Sequence, residues 1–264
     1  RLAFEQAFHV FGQVLQAGQG QVELPAHRLS SGLDERVARR RAYLVDYQSD
    51  TLARRYTDLV QQVQRAEQRA CPGSTDLTEA VARNAFRLLA YKDEYEVARL
   101  FTDGTFTQAI GQTFEGDYRI RLHFARPWFN RPDPVSGEPA KQAYSDWMLG
   151  ALRLLARLKI LRGTPLDVFG YSAERRMERA LCNGYASTVA LLVEQLDAGS
   201  LPLACRIASV PDRILGFGPV KMRHAEAARA QLAELMGLWS RRDSNPAEAS
   251  TAVHDARTAE AVAP

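Results

Sequence analysis

Three short stretches carry side chains of the kinds that do chemistry. Tyr91-Lys92-Asp93-Glu94-Tyr95-Glu96 sets an amine beside carboxylates, the combination that general acid–base work or oxyanion binding on Lys92 and Glu94 would need. The second stretch runs from Leu161-Arg162-Gly163 through Asp167 and Phe169 to Ser172-Ala173-Glu174-Arg175-Arg176. Arg162, Arg175 and Arg176 near a helix start suit an anion, because free backbone N–H groups gather there. The third is Pro211-Asp212-Arg213-Ile214-Leu215-Gly216-Phe217-Gly218-Pro219-Val220-Lys221. Its glycines reach backbone conformations closed to other residues. Lys221 falls in the first turn of a helix, where the dipole disfavours a cation. It therefore calls for a partner: a carboxylate of the first stretch, a ligand or another domain. The candidate ligand- or interface-binding residues are Lys92, Glu94, Arg162, Asp167, Arg175, Arg176 and Lys221.

Each stretch also has a plainer structural reading, and the pattern favours it. Lys92 with Glu96, and Glu96 with Arg99, have the spacing of ion pairs along a helix. Asp167 pairs with one of the arginines while Phe169 plugs a core, and the third stretch is a tight turn closed by a salt bridge. A small enzyme built on Lys92, Glu94 and Lys221 would require those groups to converge in one cleft.

Other chemistries lack their residues. A thiamine diphosphate site typically opens on Gly-Asp-Gly with a downstream Asn, and this pattern does not occur. Iron–sulfur clusters take four close thiolates, whereas Cys71, Cys182 and Cys205 are scattered. His9, His27, His123, His224 and His254 show no metal-ligand spacing. Gly-rich phosphate loops, nucleophile elbows and Cys/His pairs in useful context are also missing. No catalytic residue and no metal ligand is assigned.

The elements that must position these stretches follow from period. The chain has 264 residues, 46% hydrophobic and 25% charged, with a net charge of +3. A chain of this size buries roughly 70% of the surface it exposes when unfolded, so no disulfide or metal is needed for stability. Only Lys92, Lys141, Lys159 and Lys221 are lysines; the other cations are arginines interleaved with acids. That favours solvated, salt-bridged faces over a nucleic-acid surface. No apolar run reaches bilayer-spanning length, and the scattered thiols suit a reducing, cytoplasmic setting. Residues 1–16 are periodic without a preceding cap, and position 1 is Arg rather than Met. The chain is therefore expected to be part of something longer.

A linker at 17–32 precedes a charged helix from Asp34 towards Ala70, whose narrow apolar stripe predicts a projecting arm. Asp76 with Glu79 has the form of a capping box, opening a helix that continues to about Asp103. Residues 116–125 alternate apolar and polar, predicting a strand whose partner is Thr105–Phe114 or a neighbouring domain. After a proline-rich loop at 126–140 come helices over 143–162 (expected to be central), from Ser172 to about Leu196, over Leu203–Ser209, and from Pro219 through Met236. From Ser240 the chain loses its period and reads as disordered. The expected fold class is mainly α: a helical bundle with a long charged helical arm and a small antiparallel β element. Its parts are an N-terminal helix and linker (1–33), the arm (34–72), a main accessory domain (73–239) and a tail (240–264).

The same stretches support a resemblance. Leu77-Thr78-Glu79-Ala80-Val81-Ala82-Arg83 with Ala90 through Leu100 resembles a hallmark of the carboxy-terminal domain of fused indolepyruvate-type 2-oxoacid:ferredoxin oxidoreductases. Four further motifs are similar to that domain, in the same order. They are Phe114 to Tyr118, Leu158 to Gly163, Phe169-Gly170 with Ala173 to Arg179, and Pro211 to Arg213 through Gly216-Phe217-Gly218 with Val220-Lys221. The likeness covers about 75 to 237, and 34–70 resembles the helical part that precedes it. It implies a parent enzyme that oxidatively decarboxylates aryl 2-oxoacids to acyl-CoA and passes electrons to ferredoxin. Thiamine diphosphate, Mg and iron–sulfur clusters would lie in upstream catalytic domains, with no cofactor in this fragment. The implied partners are those catalytic domains and, through the parent, ferredoxin, within a homo-oligomer and away from any membrane. The alternative is a stand-alone arginine-rich helical binding module for nucleic acid or a protein partner.

Overall fold

The computed structural model describes residues 32–113, 122–125, 141–144, 147–216 and 218–242. The expected helix over 1–16, its linker, the start of the strand, the loop at 126–140 and the tail from 243 onward lie outside the described residues. The described part is mainly helical. In chain order it comprises α1 (Leu33–Tyr47), α2 (Asp50–Ala70), α3 (Asp76–Leu89), α4 (Glu94–Thr102), α5 (Thr105–Thr113), β1 (Leu122–Ala125), β2 (Lys141–Tyr144), α6 (Trp147–Arg157), α7 (Ala173–Glu194), α8 (Leu201–Ser209) and α9 (Gly218–Arg241). Short 3-10 turns at Leu158–Leu161 and Val210–Arg213 follow α6 and α8. Contacts divide the chain into two compact units. One comprises the described residues of 92–167, the other those of 32–91 and 168–242. The division falls inside the span expected as one main domain at 73–239. Among the described residues no helix is long and apolar enough to cross a membrane.

In the larger unit the expected arm is corrected. The helix breaks after Tyr47, and Ser49 caps a second one by accepting the N–H of Leu52 at 3.3 Å. Both halves belong to the core rather than projecting from it: Leu44, Tyr47, Ala53, Tyr56, Val60 and Val63 are all buried. Tyr43, Tyr47 and Tyr56 meet Phe86 or one another in ring contacts. A narrow apolar stripe with a charged opposite face is what an antenna and a core helix both show. Only the packing of α3 and α7 against the stripe separates the two.

A buried carboxylate joins α2 to α3. Glu67, fully buried in the last turns of α2, accepts the backbone N–H groups of Leu77 and Thr78 at 2.9 and 2.8 Å. It also accepts the hydroxyls of Thr78 at 2.6 Å and Ser74 at 2.8 Å. The first turn of a helix has N–H groups without intrahelical partners and a positive dipole end. Here the preceding helix supplies the acceptor. Thr75 occupies the N-cap position with no side-chain cap bond, so the capping box expected of Asp76 and Glu79 is corrected. Gly73, at φ +90, makes the turn that brings Glu67 round.

The helix expected to run from Asp76 to Asp103 is also broken, at Ala90–Asp93. Asp93 caps the next helix by accepting the N–H of Glu96 at 2.8 Å. In the smaller unit, Ala98, Leu122 and Leu152 form a core flanked by Phe101, Phe106 and Met148, with the two phenylalanine rings edge to face at 4.9 Å. Thr105–Thr113 is a helix, so it is not the strand partner expected of it. Leu122–Ala125 pairs antiparallel with Lys141–Tyr144, with Leu122 opposite Tyr144. The helix expected to be central is corrected as well. Of its large apolar residues Leu152 is buried, whereas Leu154 and Ile160 are 62% and 65% exposed.

The Glu67 arrangement makes a stability prediction. Glu67→Ala strands two N–H groups and two hydroxyls in the interior and should cost about 3–5 kcal/mol in urea unfolding. Arg54→Ala, which removes an exposed pair with Asp50, should cost no more than about 0.5 kcal/mol. Equal losses for the two would refute the special weight given to Glu67.

Candidate functional site

In the smaller unit the first two stretches meet in one buried polar network. Arg162 donates from Nε to Asp93 Oδ2 at 2.5 Å and from Nη2 to Oδ1 at 2.8 Å, a two-pronged pair. Both side chains are only 3% exposed. Asp167 accepts the Tyr95 hydroxyl at 3.1 Å and the Gly163 N–H at 2.8 Å, and the Arg162 guanidinium lies 5.5 Å from the centre of the Tyr95 ring. Burial, then the charge and hydrogen bond of Asp167, push the Tyr95 phenol up to about 12. Gly163, at φ +77, turns the chain so that its N–H faces Asp167. Glu96, also buried, takes both prongs of Arg99 at 2.8 Å. The Glu96–Arg99 pair expected from spacing is therefore present. Lys92 lies in the non-helical link before α4, so helical spacing does not relate it to Glu96, and Glu94 opens α4.

In the larger unit the remaining candidates gather on a different acid. Glu178 on α7 is 3% exposed and bridges two cations: it pairs with Arg175 through one oxygen and accepts Lys221 Nζ at 2.5 Å through the other. Arg175 also lies 5.6 Å from the centre of the Tyr91 ring. The partner that Lys221 required is thus Glu178, not a carboxylate of the first stretch. The N-terminus of α9 is capped in turn by Glu174, whose Oε1 accepts the Gly218 N–H at 3.1 Å. Gly216 has φ +85, and a Cβ there would sit 2.9 Å from Val220. Arg179 donates to the Gly170 carbonyl at 2.6 Å. Arg176 is exposed.

The anion site expected of Arg162, Arg175 and Arg176 is corrected accordingly. Arg162 is taken by Asp93 and Arg175 by Glu178, because burying a charged group is costly unless it is paired. Lys92, Glu94, Arg162 and Asp167 belong to the smaller unit; Arg175, Arg176 and Lys221 belong to the larger.

A third acid ties α3 to the turn after α8. Asp212 receives Arg83 at 3.1 and 2.8 Å and Arg87 at 2.9 Å. Partial burial pushes its carboxyl up, but the hydrogen bond and charge of Arg83, with Asn84 and Arg87, outweigh burial and hold it below the usual carboxylate range. Beside it Tyr185, whose phenol is driven well up by burial, donates to the Ala208 carbonyl at 2.9 Å.

Reading by residue type missed the acids at the centres of these arrangements: Asp93, Glu178, Asp212 and Glu67. The signals were present. Asp93 stands three residues before Glu96 at a helix start, and Glu67 and Glu178 fall in register with the apolar positions Val63 and Cys182, four residues away.

Little of this is open to a substrate. Among the described residues no group of three His, Cys, Asp or Glu is placed to hold a metal. Burial pushes the Cys182 and Cys205 thiols up to about 12, and Cys182 donates to the Leu88 carbonyl at 2.7 Å. Neither thiol is a ready nucleophile at neutral pH. One surface groove, lined by Asp58, Gln61, Gln62, Arg65 and Arg69, lies along the exposed face of α2 alone.

Comparison with known proteins adds a family. A model described as a family of unknown function, DUF6537, matches residues 33–234. No curated protein and no solved structure matches the chain.

Arg162→Met should leave Asp93 charged and buried without a cation, with the Glu96 N–H as its remaining donor, costing roughly 3–5 kcal/mol. Arg162→Lys keeps the charge but loses the fork and should cost less, about 1–2 kcal/mol. Chemical denaturation of both variants checks the order, and a more costly Lys variant would refute the two-pronged pair. Because its folded pKa is raised, the Tyr95 phenol contributes stability that is complete below about pH 10, the ordinary tyrosine value. That contribution is lost as pH rises towards 12. Tyr95→Phe should flatten this alkaline limb in melts taken across the window.

Proposed function

We propose that this chain, which belongs to the DUF6537 family of unknown function, is a non-catalytic assembly domain of an indolepyruvate-type 2-oxoacid:ferredoxin oxidoreductase. One observation carries the reading: four acids of its distinctive motifs are spent in ion pairs and caps, three of them buried and Asp212 partly so. Asp93 holds Arg162, Glu96 holds Arg99, Glu178 holds Arg175 and Lys221, and Asp212 holds Arg83 and Arg87. Residues chosen to lock helices together are what a scaffold requires; a catalytic acid must reach substrate.

The link to the oxidoreductases rests on the resemblance of the ordered motifs. It assigns oxidative decarboxylation of aryl 2-oxoacids, with thiamine diphosphate, Mg and iron–sulfur clusters, to catalytic domains outside this chain. Those domains and a homo-oligomeric, cytoplasmic parent are the partners and setting of the proposal, with ferredoxin reached through the parent. The surface supports a packing role. Trp147, Leu154, Ile160 and Leu166 on the smaller unit are each more than 60% exposed, and large apolar side chains left at a surface commonly mark contact sites.

Deleting residues 75–237 from a parent oxidoreductase should impair assembly or turnover while its cofactor ligands stay intact. Sedimentation and 2-oxoacid-dependent ferredoxin reduction measure the two effects, and wild-type turnover after deletion defeats the proposal. The isolated chain should be colourless and inert towards 2-oxoacids; a bound cluster or unaided decarboxylation is equally fatal.

A further inference from the structure

Helix α6 has two apolar faces, and the core of the smaller unit accounts for one of them. Leu152 is buried there with Ala98 and Leu122, and Met148, Leu149, Leu155 and Ala156 pack against that cluster. On another side Trp147 and Leu154 are 64% and 62% exposed, with exposed Ala151 between them, and Leu158 follows where the 3-10 turn begins. These four stand at intervals of four, three and four residues, which aligns them in one row along a helix. Gly150 lies beside Ala151, and a Cβ built on it would meet nothing within 4 Å. The row therefore has a recess between a tryptophan and a leucine, the form that receives a large side chain from a second helix. Among the described helices the other exposed large apolar residues are Leu191 on α7 and Val220 and Met222 on α9, and they do not repeat at that interval.

A stretch outside the described residues repeats those intervals in sequence: Phe4, Phe8, Phe11 and Leu15. We propose that residues 1–16 of this chain pair as a helix with α6 and cover its outer row. Each side has a need that the other meets. A helix of that length is marginal by itself in water and takes its stability from packing an apolar face, and a row of large apolar side chains at a surface marks a contact. Phenylalanine suits the recess at Gly150 and Ala151, because a ring can bury on the order of 150–250 Å² there. Charge selects this occupant over a second copy of α6. Arg153 and Arg157 border the row on its side away from the core, and 147–161 contains no Asp or Glu. A row set against its own copy would meet cations with no acid to receive them, whereas residues 2–16 bring Glu5 and no Lys or Arg. Residues 17–32 extend to at most about 50 Å, so the tether does not confine the segment to the larger unit. The pairing takes Trp147 and Leu154 out of the apolar surface credited above to domain packing and leaves Ile160 and Leu166 to it.

Amide hydrogen exchange on the full chain, read by mass spectrometry, tests the pairing. Residues 1–16 should exchange at least about tenfold more slowly than the same stretch as a free peptide. Leu154→Asp, which places a charge in the row, should remove that protection while the amides around Ala98 keep theirs. Arg69→Gln on the exposed face of α2 should change nothing. If Leu154→Asp loosens the smaller unit as a whole, Ala151→Glu at the exposed centre of the row decides. Unprotected exchange of 1–16 in the unaltered chain overturns the pairing, and so does protection that neither α6 variant alters. Two further outcomes replace the occupant and are equally fatal. One is a concentration-dependent dimer in sedimentation that Leu154→Asp abolishes and Phe8→Asp leaves intact, which gives the row to a second copy. The other is flotation with phosphatidylglycerol vesicles showing that same dependence, which gives it to a lipid surface. The readout is on this chain by itself, so failure here leaves the assembly reading standing, and wild-type turnover of a deleted parent leaves the pairing standing.

Discussion

A carboxylate taken fully out of water cannot stand alone, and this protein is organised around meeting that demand. Glu67 is the clearest case. It reaches the interior only because the first turn of α3 presents N–H groups that need an acceptor, and α3 begins where it does only because Glu67 is there. The two helices are thereby fixed end to end before any apolar packing is considered. The tyrosines of α1 and α2 then fill the space beside Phe86.

The same logic recurs at each distinctive motif. Asp93 both caps α4 and holds Arg162, so a single side chain sets the start of one helix and the position of the segment after α6. Glu178 does the equivalent for the N-terminal part of α9 through Lys221, and Asp212 does so for α3 through two arginines. Buried pairs of this type contribute little net stability against apolar substitutes, but losing one partner is expensive. Their effect is to make particular helix registers the only acceptable ones.

The polar stretches were legible as places of consequence; their chemistry was not. Tyr91 to Glu96 reads as four charges forced onto every face of one helix. The chain instead breaks there, and Asp93 turns from a misplaced charge into a cap. Helix breaks without Gly or Pro, such as those at Gln48 and at Tyr91–Asp93, leave little local signal, because the residues tolerate helix and the decision lies in what side chains do at the break. Lys221 was rightly read as requiring a partner, since a cation in a first turn works against the dipole. Which acid supplied it depended on α7 passing alongside, a contact 43 residues distant.

Helical period and composition by themselves determined the mainly helical class, the positions of α7 to α9 and the Glu96–Arg99 pair, because these depend on neighbours within one or two turns. Tertiary structure alone decided that the charged 34–70 segment is core rather than arm, that Leu154 and Ile160 face outward, and that Arg162 and Arg175 are occupied by Asp93 and Glu178. Each of these turns on whether a face or a charge finds its complement far along the chain. Local pattern states the need for a complement, and only the folded chain supplies its identity.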